Sequence, residues 1–229
     1  MPSLPHTIKR TGNRTSRATI RDGSIVIGLA RNLSSREEAR HIDVLLRRMA
    51  KAFLKEQTRT PIDPFTGILQ GDTQVTVYLI TGQSMRFTTE VGVRARTKAI
   101  PNGWHITKAP HTDKRTFHSM LWRLLAKSAS ASIRSLVRGI NEETIRADIR
   151  SVTLKFMRSR WGSCGRKGQI ALSTPLLLTS PDILRYVILH ELCHMPHPNH
   201  SAKFWRTVEK YMPDYKEKMK ELRKFKLHG

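Results

Sequence analysis

The residues best suited to chemistry lie in one short stretch, His190-Glu191-Leu192-Cys193-His194. In an α-helix each residue advances about 100° and 1.5 Å, so the two histidines lie about 40° and 6 Å apart. Neutral imidazole nitrogens at this spacing can hold one zinc ion together, with Glu191 beside it. Three protein ligands and one open position make a bound water acidic enough to attack near neutral pH, and Glu191 would then be the general base.

Signals for the start and the end of a helix flank this stretch. Ser180 can cap the first turn, Pro181 suits the first helical position, and Asp182 places an acid at the positive end of the helix dipole. Pro196 and Pro198 end the helix. The residues between are apolar on nearly every side: Ile183, Leu184, Tyr186, Val187, Ile188, Leu189 and Leu192. This pattern predicts a buried helix, in which a polar pair needs a metal ion or, alternatively, hydrogen-bond partners in the core.

A third zinc ligand has three candidates downstream. His200 lies six residues beyond His194, at the entrance to a helix that Ser201 can cap, where a reversal of the chain returns its ring to the ion. His197 stands between two prolines whose fixed φ angles leave it less freedom to turn back. Glu209 is a weaker third choice. We therefore expect His200, with the other two left open.

The composition is strongly basic. The chain has 229 residues, with 41 Lys and Arg against 18 Asp and Glu, which gives a formal charge of +23 and a pI near 10.9. Such an excess favours polyanions, including nucleic acid, ribosomes, nucleotides and acidic membrane surfaces, and the charge alone does not choose among them. A basic surface that serves only solubility is the alternative.

The cysteine count and the hydropathy pattern bear on location. The chain has 2 cysteines, Cys164 and Cys193, and the second lies inside the proposed metal helix, so a disulfide scaffold is not expected. The first residues lack the apolar core of a secretion signal, and no later run approaches 18 apolar residues. These features predict a cytoplasmic protein.

The N-terminal half is predicted to be mainly β-structure. Residues 1–16 are polar and basic, which favours a loose arm. A hairpin is expected around Asp22-Gly23, and a helix from Ser34 or Ser35 to about Glu56. Prolines and glycines predict a connecting loop over residues 58–73. Alternating apolar residues then indicate three strands, at 75–80, at 86–91 and at 104–106.

The C-terminal half is predicted to be mainly helical. A long helix covers about residues 112–138 and ends at Gly139. Strands at 152–156 and 169–173 form a hairpin before the metal helix, and its edge could pair with a bound peptide or simply pack Trp161 inside. After the helix that follows Ser201, Asp214 and Glu217 read as a capping box for a last helix, which extends to about residue 226.

Five motifs together resemble a known family: Arg160-Trp161-Gly162-Ser163-Cys164, the helix motif at 190–194, Pro198-Asn199-His200-Ser201, Phe204-Trp205 and Pro213-Asp214-Tyr215. They are similar to the YgjP-like metallopeptidases, relatives of the SprT-like proteases, over about residues 150–215. The match is looser over the hairpin at 17–28 and the long helix before 138. The resemblance implies a compact zincin fold, zinc on His190, His194 and His200, and Glu191 as catalytic base.

These observations predict an α+β fold. We expect a β-rich N-terminal region over residues 1–110, followed by a zincin-like metallopeptidase domain of helices and a small antiparallel sheet over residues 111–229.

Three functions are compatible with the motifs and the charge. The favoured one is zinc-dependent hydrolysis of a protein or peptide substrate, with DNA or RNA as docking surface or activator, as in the SprT-like proteases that work on DNA-bound proteins. The second is a nucleoside triphosphate pyrophosphatase, although no glycine-rich phosphate loop of the Walker type occurs. The third is a nucleic-acid-binding protein whose zinc is structural. A zinc site with four protein ligands, cysteine among them, would favour this function.

Overall fold

The computed structural model describes residues 5–21 and 24–227 and shows helices mixed with small sheets, which confirms the α+β prediction. The chain divides into two compact units between Thr60 and Pro61. Within the described residues, none of the helices is both long enough and apolar enough to cross a membrane. Both cysteines are free thiols, as expected.

The first unit is a three-stranded sheet with one helix. Its elements are β1 (His6–Arg10), β2 (Arg17–Arg21), β3 (Ser24–Leu29) and α1 (Ser35–Gln57). β3 is central; β2 pairs with it antiparallel, so the predicted hairpin strands are confirmed, although the turn at 22–23 lies outside the described residues. The prediction of a loose arm is wrong for β1, which pairs parallel with β3. The side chains of β1 are exposed, so its order comes from backbone pairing that side-chain hydropathy does not reveal.

The helix of this unit begins with a capping box at Ser34, one of the two predicted start residues. Ser34 Oγ accepts a hydrogen bond from the Glu37 amide at 3.4 Å, and Glu37 Oε2 accepts one from the Ser34 amide at 2.8 Å. The apolar face of α1, which includes Leu45 and Met49, packs against the buried side of β3. A small separate core results.

The second unit contains all the remaining elements in chain order: β4 (Thr60–Pro61, at the boundary), α2 (Thr66–Gln70), β5 (Gln74–Tyr78), β6 (Ser84–Val91), β7 (Arg96–Ile100), β8 (Gly103–Lys108), α3 (Lys114–Glu143), β9 (Ser151–Lys155), β10 (Gly162–Cys164), β11 (Gln169–Ser173), a 3₁₀ helix (Thr174–Leu178), α4 (Pro181–Cys193), α5 (Ala202–Tyr211), α6 (Tyr215–Leu222) and β12 (Phe225–Lys226). Two features differ from prediction in the first part of this unit. The expected loop at 58–73 contains α2, which buries Ile68. β7 was not predicted, because its side chains are mostly exposed and show no alternation. The three predicted strands are present as β5, β6 and β8, and the sheet order is β5-β6-β8-β7.

The long helix α3 starts and ends by side-chain capping. Asp113 Oδ2 accepts from the Thr116 amide at 2.9 Å. The predicted end at Gly139 is wrong, because Ile140 and Asn141 continue the buried face. Asn141 then bonds both the amide and the carbonyl of Ala147, at 3.0 and 2.9 Å, and so closes the turn that follows the helix. A glycine at an exposed helical position weakens a helix by about 1 kcal/mol, which this buried face outweighs.

The sheet before α4 has a different topology from the predicted one. Its order is β10-β11-β9, in which β9 runs parallel to β11 and β10 runs antiparallel to it. The prediction of a hairpin between the strands at 152–156 and 169–173 is therefore wrong. The hairpin is formed by β10 and β11, and β10 lies at the edge of this sheet within the described residues. Alternation of apolar residues reports which face is buried and carries no information on strand direction.

The helices at the C-terminal end pack on the same core as the four-stranded sheet. Buried residues of β6 and β8, such as Phe87 and Ile106, belong to one cluster with Leu121 of α3 and Leu189 of α4. The functional boundary that we predict between residues 110 and 111 stays a prediction, whereas the compact units divide at Thr60.

The last helix is shorter than expected. α6 begins after Asp214, whose side chain makes no cap hydrogen bond, so the predicted capping box is not formed. Asp214 Oδ2 instead lies 3.3 Å from Lys218 Nζ, which also lies 2.8 Å from Asp182 Oδ2 at the start of α4. The lysine thereby holds α6 against the first turn of α4.

Candidate active site

The helix α4 carries two of the predicted site residues in its last turn. Ser180 caps it as expected, accepting from the Ile183 amide at 3.3 Å. Nearly all side chains of α4 are buried in the main core. His190 and Glu191 are polar residues at the end of this apolar helix, so the packing that fixes the helix also fixes them.

The ring nitrogens of His190, His194 and His200 converge on one point. One ring nitrogen from each lies within 4.8 Å of the others. The Nε2 atoms of His190 and His200 are 3.0 Å apart. Two imidazole nitrogens bound to one tetrahedral zinc lie roughly 3.3 Å apart, given bond lengths of about 2.0–2.1 Å. The donor set therefore fits a single metal ion.

The orientation of His194 leaves one nitrogen for that ion. Its Nδ1 lies 3.2 Å from the carbonyl oxygen of His197, to which a protonated Nδ1 donates. The tautomer so favoured has Nε2 unprotonated, which is the state that binds a metal.

The two alternative third ligands point elsewhere. His197 Nε2 lies 3.1 Å from Thr207 Oγ1. Glu209 is exposed, and its carboxylate lies 3.9 Å from Lys216 Nζ. The structure thus brings His200, and neither His197 nor Glu209, to the His190 and His194 pair.

Burial favours the neutral form of His190 and His194. The pKa of His190 is lowered to about 4, mainly by desolvation and to a smaller extent by the charges of His194 and His200. Burial also lowers the pKa of His194. Among the described residues His190 Nδ1 has no hydrogen-bond partner although it is buried. A buried ring with so few protein partners is costly, and an ion at its other nitrogen would offset part of that cost.

An aromatic cluster surrounds the three imidazoles. The Phe204 ring is fully buried, and its centroid lies 4.9, 4.6 and 4.8 Å from those of His190, His194 and His200. Trp205 stacks on His200 at 5.6 Å, and Tyr215 stacks on Trp205 at 5.3 Å. From the sequence, Phe204 and Trp205 form one of the motifs that resemble the family, but they have no predicted role at the site. Their position about one turn after His200 was the available signal.

Glu191 lies against the edge strand β10. Its side chain is buried, and desolvation raises the pKa of the carboxyl to about 7 although the charge of Arg160 opposes this rise. A β-carbon at position 162 would lie 2.5 Å from Glu191 Oε1 and 2.7 Å from its Cγ. Only glycine therefore permits this approach of α4 to β10. The role of Gly162 could not be predicted from the sequence, because it depends on a contact between distant segments.

A groove of about 930 Å³ opens in front of these residues. It is lined by Glu191 and the three histidines, by Gly162, and by Arg160 and Arg166 on either side of β10. Cys164 also faces it, with Sγ 3.4 Å from Met195 Sδ, and burial raises the pKa of this thiol.

Three imidazoles around one point, with a carboxylate facing an open groove, are the groups that metal-dependent hydrolases use. Comparison with family models narrows the class, because the model described as "YgjP-like, metallopeptidase domain" matches residues 14–225. The chain belongs to this family, and it is a metallopeptidase that requires a divalent metal. The predicted resemblance is confirmed and extends well beyond residues 150–215.

Two solved structures resemble part of the chain. The metallopeptidase zymogen abylysin of Pyrococcus abyssi is 24% identical, with 42% of this chain and 99% of that chain covered and a TM-score of 0.36. The zymogen jannalysin of Methanocaldococcus jannaschii is 23% identical, with 39% and 92% covered and a TM-score of 0.36. Comparison with curated proteins gives no match. The assignment rests on the family match.

The contact between Gly162 and Glu191 gives a first prediction. We expect Gly162→Ala to displace the Glu191 carboxylate and to lower peptide hydrolysis at least about 100-fold, the scale of a lost general base. Metal content should remain unchanged, since the three histidines do not touch this position. Activity assays and metal analysis on the same preparation check both parts.

The matched control is Gly139→Ala in α3, where an added β-carbon meets no atom within 4 Å. It should keep full activity and raise the free energy of unfolding by up to about 1 kcal/mol. Normal activity in Gly162→Ala would contradict the positioning of Glu191 by this strand.

Proposed function

We propose that the protein is a zinc-dependent peptidase in which His190, His194 and His200 hold the metal and Glu191 is the general base. The observation that supports this most directly is the convergence of three imidazole nitrogens within 4.8 Å at the wall of the groove, next to a buried carboxylate. Family membership supplies the reaction class, and the geometry supports the residue roles.

The donor set favours zinc in a catalytic site over zinc in a structural one. Structural zinc sites close with four protein ligands and commonly use cysteine. Here three histidines converge, and among the described residues no cysteine or acidic side chain joins the cluster. The groove supplies an open direction for a substrate. These features disfavour a nucleic-acid-binding protein whose metal is only structural.

The edge strand β10 suits an extended peptide. Within the described residues β10 pairs only with β11, so its other edge offers backbone donors and acceptors to a bound chain. Gly162 of β10 touches the Glu191 side chain, so a peptide paired here has its backbone beside the carboxylate. Backbone pairing requires no particular side chain and is compatible with many peptide sequences.

The proton transfers can be assigned to Glu191. Its carboxylate accepts a proton from water as the water oxygen bonds to the peptide carbonyl carbon, and then passes that proton to the amide nitrogen as the C–N bond breaks. When bound, zinc supplies Lewis acidity that polarises the carbonyl and makes water a stronger nucleophile. Gly162 holds the carboxylate in place, and Phe204 packs against the rings that would bind the ion.

The ligand assignment predicts the effect of removing one histidine. The wild-type protein should hold about one zinc per chain. We expect His190→Ala to bind zinc more than 100-fold more weakly, beyond the 10–100-fold loss typical of a lost outer hydrogen-bond partner. Titration against a competing chelator measures both affinities.

His197→Ala is the control for this experiment. Its ring faces Thr207, while only its backbone carbonyl contacts His194, so the variant should keep its zinc. Full retention of metal in His190→Ala, or its loss in the control alone, would end the assignment.

The general-base role predicts a separation of metal binding from turnover. Glu191→Gln keeps the shape of the side chain but cannot accept a proton, so we expect normal zinc content and a fall in kcat of about 100-fold or more on a protein substrate. Nucleoside triphosphates are assayed in parallel. Triphosphate hydrolysis that depends on Glu191, in the absence of peptide hydrolysis, would replace the peptidase proposal with a pyrophosphatase.

We further propose that the exposed face of α3 docks the enzyme on a polyanion such as DNA. Four exposed cationic side chains, Arg123, Lys127, Arg134 and Arg138, lie on one side of this helix, and Lys114 and Arg115 are exposed in its first turn. The four span about 22 Å, roughly two thirds of one turn of duplex DNA. The net charge of +23 supports the same partner class.

This docking surface predicts the salt dependence of binding. The logarithm of affinity for duplex DNA should fall with the logarithm of salt, with a slope of about −0.9 for each phosphate neutralised. Arg123→Gln and Arg134→Gln should each make the slope shallower by about 0.9. Arg185→Gln should change it little, because Glu143 already pairs with Arg185 at 2.9 Å. A slope near zero for the wild type would exclude docking through this face.

A further inference from the structure

Two arginines lie at the two ends of β10, at the rim of the groove. Arg160 precedes Gly162 by two residues, and Arg166 lies in the turn that joins β10 to β11. Both line the groove together with His190 and Glu191. Arg10, Arg47 and Arg185 each form an ion pair with a carboxylate, at 2.9, 3.0 and 2.9 Å. The guanidinium groups of Arg160 and Arg166 have no hydrogen bond or ion pair with a described residue.

The groove therefore carries uncompensated positive charge. Its fixed charges are the two guanidinium groups and the single carboxylate of Glu191, and a divalent ion on the histidines adds further positive charge. A guanidinium presents a planar fork of N–H donors that matches a carboxylate in two parallel hydrogen bonds. An anionic group on the substrate would supply the partner that the protein itself does not.

The spacing along the strand indicates where that group would be. Each residue of an extended chain advances about 3.3 Å, so Arg160 lies about two residues from Gly162, the position that touches Glu191. Arg166 lies in the turn beyond the other end of β10. A peptide paired with β10 would thus meet Arg160 close to the bond that is cut and Arg166 further away.

We propose that the enzyme selects peptides with a carboxylate within about two residues of the scissile bond, and that Arg160 binds this carboxylate, with Arg166 as a weaker second contact. The proposal rests on the peptidase function proposed above. The carboxylate is either an Asp or Glu side chain or the C-terminus of the peptide. An extended edge strand favours a peptide as the carrier of this charge over a nucleotide.

The test compares matched peptides that differ by one charge. The first set consists of fluorogenic peptides with an amidated C-terminus, each of which carries Glu or Gln at one position on either side of the cleaved bond. A second set has no acidic side chain and ends, as free acid or as amide, two residues after the bond. A charge-assisted contact predicts a kcat/KM preference of about 10-fold or more for the acidic member, and the set that shows it identifies the source of the carboxylate.

Variants of Arg160 assign the preference to this side chain. Arg160→Gln should lower kcat/KM for the acidic peptide far more than for the neutral one, so that the ratio falls towards one. Arg160→Glu should invert the preference in favour of a Lys-containing peptide. Arg166→Gln should reduce the ratio less. The control is Arg96→Gln on β7, which does not line the groove and should keep the wild-type ratio.

Binding to Glu191→Gln separates this proposal from the peptidase proposal. Fluorescence anisotropy with labelled acidic and neutral peptides should show the same preference in the binding of peptides to this variant. The double variant that also carries Arg160→Gln should bind both peptides equally. Cleavage of both peptides at equal rates, or a preference that survives in Arg160→Gln, would overturn the carboxylate selection and leave the peptidase function standing. Absence of all peptide cleavage would overturn the peptidase function, and equal binding of the two peptides would overturn the selection independently.

Discussion

The close approach of α4 to β10 is the constraint on which the site depends. It brings the Glu191 carboxyl onto the α-carbon of Gly162, where a β-carbon would lie 2.5 Å from Oε1. The buried apolar residues of α4 hold the helix in this position, at about 1.5–3 kcal/mol for each large side chain. That stabilisation offsets the cost of burying the His190 imidazole and the Glu191 carboxyl in the last turn of α4. It also offsets the cost of burying the His194 imidazole in the residue after the helix.

The histidines come from two different local structures, and aromatic packing holds them together. His190 and His194 belong to the end of α4, whereas His200 precedes α5. Phe204 contacts all three rings, and Trp205 stacks on His200. Rigid neighbours of this kind restrict ring rotation before any ion binds, so little order has to be gained on binding. Phe204 is fully buried, so its ring shields from water the imidazole faces that it contacts.

Local features of the sequence predicted α4, its Ser180 cap and the spacing of His190 and His194, because each depends on residues within one helix. The position of His200 followed from the proline-rich reversal before it. The directions of the strands and the pairing of the edge strands could not be predicted from the sequence. The parallel pairing of β9 with β11 and the ordering of β1 are set by partners distant in sequence. Gly162 and Phe204 were missed as functional residues for the same reason, since their roles exist only where separate segments meet.

Positive charge is found in two separate places, on α3 and at the groove. The cations of α3 are exposed, and at physiological ionic strength such charges are screened beyond about 8 Å, so the proposed docking requires a polyanion that lies against the helix. Arg160 lies beside Glu191 at the groove, and its charge opposes the rise in the carboxyl pKa that burial causes. Arg160 can therefore act on a substrate in the groove, whereas the cations of α3 lie outside the groove.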